Sequence, residues 1–167
     1  MAQVRIAQNE ADVLNAFNIE RKSYSPDAAA SLEAFVMRKR WFGSYFWIAE
    51  EAGEVVGVTN GVRIHHPELS DESIKQAGEA ATTGAYFCVL TVAVDADHQR
   101  KGIGSKLMLE VINQARRDKL KAVVLMCEEH LIGFYEKLGF VYVNPSASTH
   151  GGIQWHEMIL TCAIPSN

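Results

Sequence analysis

The residues best suited to chemistry gather in one short run, Gln99-Arg100-Lys101-Gly102-Ile103-Gly104-Ser105. It lies between a stretch patterned as a buried strand and a stretch patterned as a helix. Two glycines let the backbone turn tightly and approach a ligand closely. The helix start behind them offers free N–H groups and the positive end of the dipole, a natural seat for a phosphate or pyrophosphate. Arg100 and Lys101 add positive charge. The P-loop pattern GxxxxGK[ST] is absent, and Leu107 stands where the Rossmann fingerprint needs its third glycine. On these residues alone, a plain strand-to-helix turn remains the simpler account of a lone GxG.

Other candidates are weaker. Cys127 ends an apolar run and could act as a nucleophile only with a partner to activate it. A buried inert thiol is the better reading. His65 and His66 are adjacent, so on a strand they would point to opposite faces and not share a metal. Trp41, Phe42, Tyr45, Phe46 and Trp47 form a dense aromatic cluster. Packing explains most of it, with one or two rings expected to line an apolar pocket.

These residues need elements to position them. Gln3–Ile6 reads as an edge strand. Asn9 reads as the N-cap of a helix reaching about Tyr24, with Val13, Leu14, Phe17 and Ile19 as its stripe. Ser25-Pro26-Asp27 stops it. A second helix is expected from Asp27 or Ala28 to Trp41, closed by Gly43. Tyr45–Glu50 and Glu54–Ile64 read as a hairpin turning at Ala52-Gly53. His65 to Gly84 reads as a long loop, with a short helix at Asp71–Gln76. Ala85–Val94 reads as a buried strand, Gly104–Lys119 as an amphipathic helix, and Ala122–Cys127 as another buried strand. Leu131–Leu138 reads as a short helix closed by Gly139. Val141–Val143 and Ile153–Thr161 are expected as final strands around a Gly151-Gly152 turn. The order βααββ-loop-βαβαββ predicts an α/β (mixed α+β) domain, 1–167, built on one sheet.

Composition sets outer limits. Of 167 residues 48% are apolar and 22% charged, with Gly 12 and Pro 4, which excludes a disordered or collagen-like chain. Sixteen basic against 20 acidic residues give a net charge of −4, so neither nucleic acid nor a membrane surface is an expected partner. Tyr86 to Val94, interrupted by Thr91, is the longest near-apolar run and falls well short of a membrane span. The N-terminus lacks an apolar signal core, and the 3 cysteines form no CxxC, so a cytoplasmic protein with free thiols is expected.

Strand, QRKGIG loop, helix, strand and Phe134-Tyr135-Glu136-Lys137-Leu138-Gly139-Phe140, in this order, resemble the GNAT N-acetyltransferase superfamily. The resemblance covers at least Ala85–Phe140. Within that superfamily, Leu125-Met126-Cys127-Glu128 through Phe140 is similar to the arylalkylamine N-acetyltransferase group, as is the Ile19-Glu20-Arg21 … Pro26-Asp27 … Ala29 region. The resemblance implies a GNAT fold, with helices on both faces of a mixed sheet splayed at the cofactor slot. It implies acetyl-CoA as cosubstrate and no metal. The pyrophosphate would sit on backbone N–H groups of Arg100, Lys101, Gly102, Ile103, Gly104 and Ser105, Gln99 would also meet the cofactor, and the pantetheine arm would run along Val92–Val94. Tyr135 matches the general-acid position. A phenol is protonated at neutral pH and can protonate a departing thiolate.

The vertebrate-type enzymes of that group carry two histidines on the strand before the loop. Their positions fall at Cys88 and Leu90, so both are missing and the chain is similar to the non-vertebrate kind. Glu20, Asp27, Glu128 and His130 are the candidate bases in their place. The implied reaction is direct transfer of acetyl to a small-molecule amine, with an arylalkylamine first. The alternatives are a polyamine, amino acid, antibiotic or protein amine, or a non-catalytic acyl-CoA sensor. The chain would act as a monomer or homodimer.

Overall fold

A computed structural model describes residues 1–69, 78 and 81–162. Its elements are β1 (Gln3–Ile6), α1 (Glu10–Ser23), α2 (Leu32–Phe42), β2 (Trp47–Glu51), β3 (Glu54–Ile64) and β4 (Tyr86–Val94). Then follow α3 (Ile103–Arg117), β5 (Ala122–Cys127), α4 (Ile132–Lys137), β6 (Val141–Pro145) and β7 (His156–Thr161). The seven strands form one sheet in the order β1-β2-β3-β4-β5-β7-β6. Only β4 and β5 run parallel among these neighbours, as an intervening helix demands. This is the expected mixed α/β architecture. Helix α1 and α2 cover one face, where Val13, Phe35, Phe46, Ile48 and Val58 pack. Helix α3 covers the other. Its Leu107, Met108, Val111, Ile112 and Ala115 are all buried on one stripe. Each large side chain there contributes about 1.5–3 kcal/mol.

Local chemistry sets the ends. Asn9 Oδ1 accepts the Asp12 N–H at 2.9 Å and starts α1. Helix α2 begins at Leu32 rather than at Asp27 or Ala28. The N–H groups of Ala28 and Ala29 both donate to the Ser25 carbonyl, making a turn, and Ser31 Oγ then caps the Ala34 N–H at 3.1 Å. Strand β2 starts at Trp47 because Gly43–Tyr45 forms a 3₁₀ turn. Strand β7 starts at His156 rather than Ile153, because the preceding residues bond within their own loop: Trp155 Nε1 donates to the His150 carbonyl at 2.9 Å. The helix expected at Asp71–Gln76 lies outside the described residues. Among the described residues no helix is long and apolar enough to cross a membrane.

Two irregularities shape the centre of the sheet. Strand β4 pairs with β5 only from Tyr86 to Val89, against Ala122 to Leu125. From Leu90 onward β4 stays with β3 while Met126 and Cys127 pair with β7, so the two central strands part. At the same place the β3–β4 register passes from Asn60 opposite Thr91 to Gly61 opposite Val89, leaving Leu90 extra. Such a bulge bends the strand and re-aims its side chains. Gly61 permits it, since a Cβ there would overlap the Cys88 carbonyl.

Candidate functional site

The parting of β4 from β5 opens a cavity of about 390 Å³, a size suited to small molecules. Its floor is β4 from Cys88 to Val92, the end of β5 from Leu125 to Cys127, and Glu128 just beyond it. Helix α1 contributes Glu20, α2 contributes Arg38, and α4 contributes Tyr135. The mouth is flanked by Ala28–Ala30 and by Ser148, His150 and Trp155 of the β6–β7 connection. These two walls touch. His150 Nε2 donates to the Ala28 carbonyl at 3.1 Å, and Gly151, at φ +66, lies so close that a Cβ there would come within 2.8 Å of the Ala28 methyl.

Beyond Leu90 the edge of β4 that leaves β5 is met by side chains. The Val92 carbonyl is approached by Tyr24 Oη at 3.5 Å, and the Val94 carbonyl accepts Gln99 Nε2 at 3.1 Å. Residues 99–105 follow. Arg100 at φ 65 and Gly102 at φ 77 take left-handed conformations, which make the tight turn into α3. The N-cap position, Gly102, gives α3 no side-chain cap, so its first N–H groups are left without one. Arg100 and Lys101 flank them, and the loop is moored from behind. His98 Nε2 lies 3.1 Å from Glu51 and Lys101 Nζ 3.6 Å from the same carboxylate. Open N–H groups, adjacent cations and a strand edge leading to them fit an extended phosphorylated ligand such as acetyl-CoA. A Cβ on Gly104 would sit 3.4 Å from the Phe134 ring, so this loop packs directly against the helix that carries Tyr135.

Tyr135 is 6% exposed, edge-on to Phe134 and Phe140. Burial, then the nearness of Tyr24 and Cys127, pushes its pKa well above that of an ordinary phenol. It therefore keeps its proton at neutral pH. Burial also pushes Tyr24 up to about 12 and the Cys127 thiol up to about 11. Cys127 Sγ rests 3.7 Å from Met158 Sδ. A thiol so placed is packed and protonated, not a nucleophile.

The candidate bases separate clearly. Glu20 is 2% exposed and lines the cavity, and burial raises its pKa above the ordinary carboxyl value. Glu128 is half-buried at the end of β5 and also lines the cavity. Asp27 is exposed in the turn after Pro26, and His130 is exposed in the turn before α4; neither lines the cavity. The aromatic cluster does not reach it either. Phe42, Tyr45 and Phe46 are core residues, with Tyr45 stacked on Phe87 at 4.2 Å. The rings at the site are Tyr24, Tyr135 and Trp155 instead. The missing histidine positions, Cys88 and Leu90, do face the cavity.

Sequence reasoning passed over Arg38, Asn60 and Thr91. Arg38 is 7% exposed; its Nη1 donates to Asn60 Oδ1 at 2.9 Å and to Thr91 Oγ1 at 3.2 Å. Thr91 Oγ1 in turn donates to Glu20 Oε2 at 2.9 Å. Signals for them exist. Arg38 shares a stripe with Phe35 and Phe42, a charge on the buried face of α2. Thr91 is the one polar residue within an otherwise apolar β4.

Comparison with known proteins agrees with this geometry. The model of the acetyltransferase (GNAT) family matches residues 13–140. Serotonin N-acetyltransferase of Mesocricetus auratus is 29% identical over 160 residues, 92% of this chain and 73% of that protein. The loading GNATL domain of CurA from Lyngbya majuscula shares the fold with a TM-score of 0.81 at 14% identity, covering 97% of this chain and 98% of that one. Arabidopsis thaliana Naa50, solved with the bisubstrate analogue CoA-Ac-MVNAL, shares it with a TM-score of 0.73 at 16% identity, covering 96% and 98%. With its family model spanning most of the chain and its sheet split at the same strands that build the cavity, the protein belongs to the acetyltransferase (GNAT) family.

Proposed function

We propose that this acetyltransferase moves acetyl from acetyl-CoA to a primary arylalkylamine, by direct attack with both substrates bound. The observation that carries this is a small, largely apolar cavity at the β4–β5 split that holds both a buried carboxyl, Glu20, and a buried phenol, Tyr135. Leu90, Leu131, Ala28–Ala30 and Trp155 offer apolar surface for an aromatic ring, while Glu20 offers a partner for an amine. A polyamine would call for several carboxylates, and among the described lining residues only Glu20 and Glu128 are acidic. The likeness to serotonin N-acetyltransferase over 92% of the chain supports the same class.

Acetyl-CoA, when bound, supplies an acyl thioester to be attacked and a thiolate to be discharged. The open N–H groups at the start of α3, with Arg100, Lys101, Gly102, Ile103, Gly104 and Ser105, would hold its pyrophosphate, and Gln99, Val92 and Val94 would line its arm. Glu20 takes up the proton that the ammonium group must lose. Its raised pKa brings it nearer to that task than an exposed carboxylate would be. Tyr135 holds a proton at Oη for the departing sulfur. Asp27 has no role in this arrangement, and Glu128 stands at the cavity edge as a second acceptor of charge.

The test is release of CoA thiol on a panel of tryptamine, phenethylamine, spermidine, free amino acids and a lysine peptide. Saturable turnover confined to the two arylalkylamines is expected. Turnover confined to the peptide or the polyamine overturns the acceptor class.

A further inference from the structure

The hydrogen bonds behind Glu20 run in one direction, and the chemistry of Arg38 sets it. A guanidinium has donors and no acceptor. Arg38 Nη1 gives a proton to Thr91 Oγ1 at 3.2 Å, so the Thr91 hydroxyl proton is free for Glu20 Oε2, 2.9 Å away. The same Nη1 fixes Asn60 by donating to its Oδ1 at 2.9 Å. Turned this way, Asn60 Nδ2 is left without a hydrogen-bond partner among the described residues, as is Arg38 Nε. Buried donors without acceptors are costly.

We propose that Arg38, acting through Thr91, is a positioning residue that holds Glu20 as a proton acceptor. With Arg38 only a donor and an ionised Glu20 only an acceptor, the Thr91 hydroxyl accepts from the first and donates to the second. That bond favours the ionised form, the nearby Ala30 backbone acts in the same sense, and so does the guanidinium charge from one residue further away. No direct ion pair forms, so the carboxylate is supported without being neutralised by a contact partner. Burial lowers the Arg38 pKa only to about 10, and the cation persists at neutral pH.

The other titratable groups around the cavity do not supply this charge. Tyr24 on α1, Cys88 on β4, Cys127 on β5 and Tyr135 on α4 are all pushed upward by burial and stay neutral. Glu128, which follows β5, is an acid and offers no cation, and His150 is an exposed residue at the mouth.

The proposal rests on the reading of Glu20 as the base, and its test keeps the two apart. Thr91→Val preserves shape and removes only the hydroxyl; Thr91→Ser restores it. Two titrations are compared across wild type, Thr91→Val, Thr91→Ser and Arg38→Met. One is the acidic limb of kcat/KM for tryptamine acetylation. The other is the ¹³C resonance of the Glu20 carboxyl in protein without acetyl-CoA, assigned with Glu20→Gln. Both midpoints are expected to rise, by roughly one unit or more in Thr91→Val and by roughly one to three in Arg38→Met, with Thr91→Ser near wild type. If Arg38→Met does not fold, the threonine pair decides. A Glu20 resonance that titrates as in wild type in Thr91→Val overturns the relay. A shifted resonance with an unshifted kinetic limb upholds the relay and overturns Glu20 as the base.

Discussion

Helix α1 carries two buried carboxylates about two turns apart, and they are treated in opposite ways. Asp12 is gripped directly. Arg5 meets both of its oxygens, at 2.8 and 3.0 Å, and the Gln8 N–H adds a third bond at 2.8 Å. The Arg5 bond, above all, holds the Asp12 carboxyl below its ordinary pKa. Glu20 is more deeply buried, its cation stands behind a threonine hydroxyl, and burial raises its pKa. Asp12 has surrendered its reactivity to the fold: it ties β1 to α1, and through the shared Arg5, which reaches Glu50 at 2.8 Å, to β2. Glu20 keeps its basicity and a face on the cavity. The two acids differ in whether a cation meets the carboxylate directly or only through a hydroxyl.

The linkage signs follow. Asp12, with a folded pKa lowered from 3.8, contributes stability that is present above that value and is lost as pH falls through the lowered one. Glu20 works the other way. Its folded form binds a proton more tightly than the unfolded form, so stability falls as pH rises from 4.5 to the raised value.

The sharpest way to break the comparison is to neutralise each acid in turn. Glu20→Gln should lower kcat for arylalkylamine acetylation by roughly 10³ and leave the melting temperature no lower than wild type, since a buried charge is removed. Steady-state kinetics beside a thermal melt checks both halves. Tyr135→Phe should cost roughly 10² in kcat with little change in acetyl-CoA affinity, as isothermal titration would read. Removing a proton donor leaves the cofactor's other contacts in place.

Further down in size is Gly102→Val. A β-branched residue at φ 77 is strained by about 1–3 kcal/mol. Acetyl-CoA affinity should drop by roughly ten-fold or more through the distorted turn. The smallest effect on catalysis is expected from Asp12→Asn. It should cost about 2 kcal/mol of stability, measurable by urea unfolding, while the folded variant acetylates at the wild-type rate. An activity loss in Asp12→Asn matching that of Glu20→Gln would erase the distinction between the two acids.

The fold and the turn into α3 were legible because their signals are local. The stripe of α3, the caps at Asn9 and Gly139, and the Gly102-Ile103-Gly104 turn can each be read within a few residues. The start of α2 was not, because Ser31 and Ala28 are both acceptable helix starts in sequence; the Ser25 carbonyl decides between them by capturing two amides. Glu20 was legible as one of four candidates, and the structure separates it from Asp27 by its burial and its place on the cavity wall. Arg38, Asn60 and Thr91 were not legible as a group. They come from α2, β3 and β4, and only the pairing of Asn60 opposite Thr91 across β3 and β4 sets both before the same guanidinium. The aromatic cluster misled for a related reason. Sequence density of rings reports core packing at Tyr45 and Phe46, whereas the rings at the cavity, Tyr24 and Trp155, are isolated in sequence and joined only by the fold.

The most direct test is a ¹³C titration of the wild-type side-chain carboxyls from pH 2 to 9, with Glu20 and Asp12 assigned by their Gln and Asn variants. The account predicts that Glu20 titrates above the ordinary glutamate value and Asp12 below the ordinary aspartate value. A Glu20 carboxyl that titrates at or below 4.5 would contradict it, since that acid would then be held as firmly by the fold as Asp12 is.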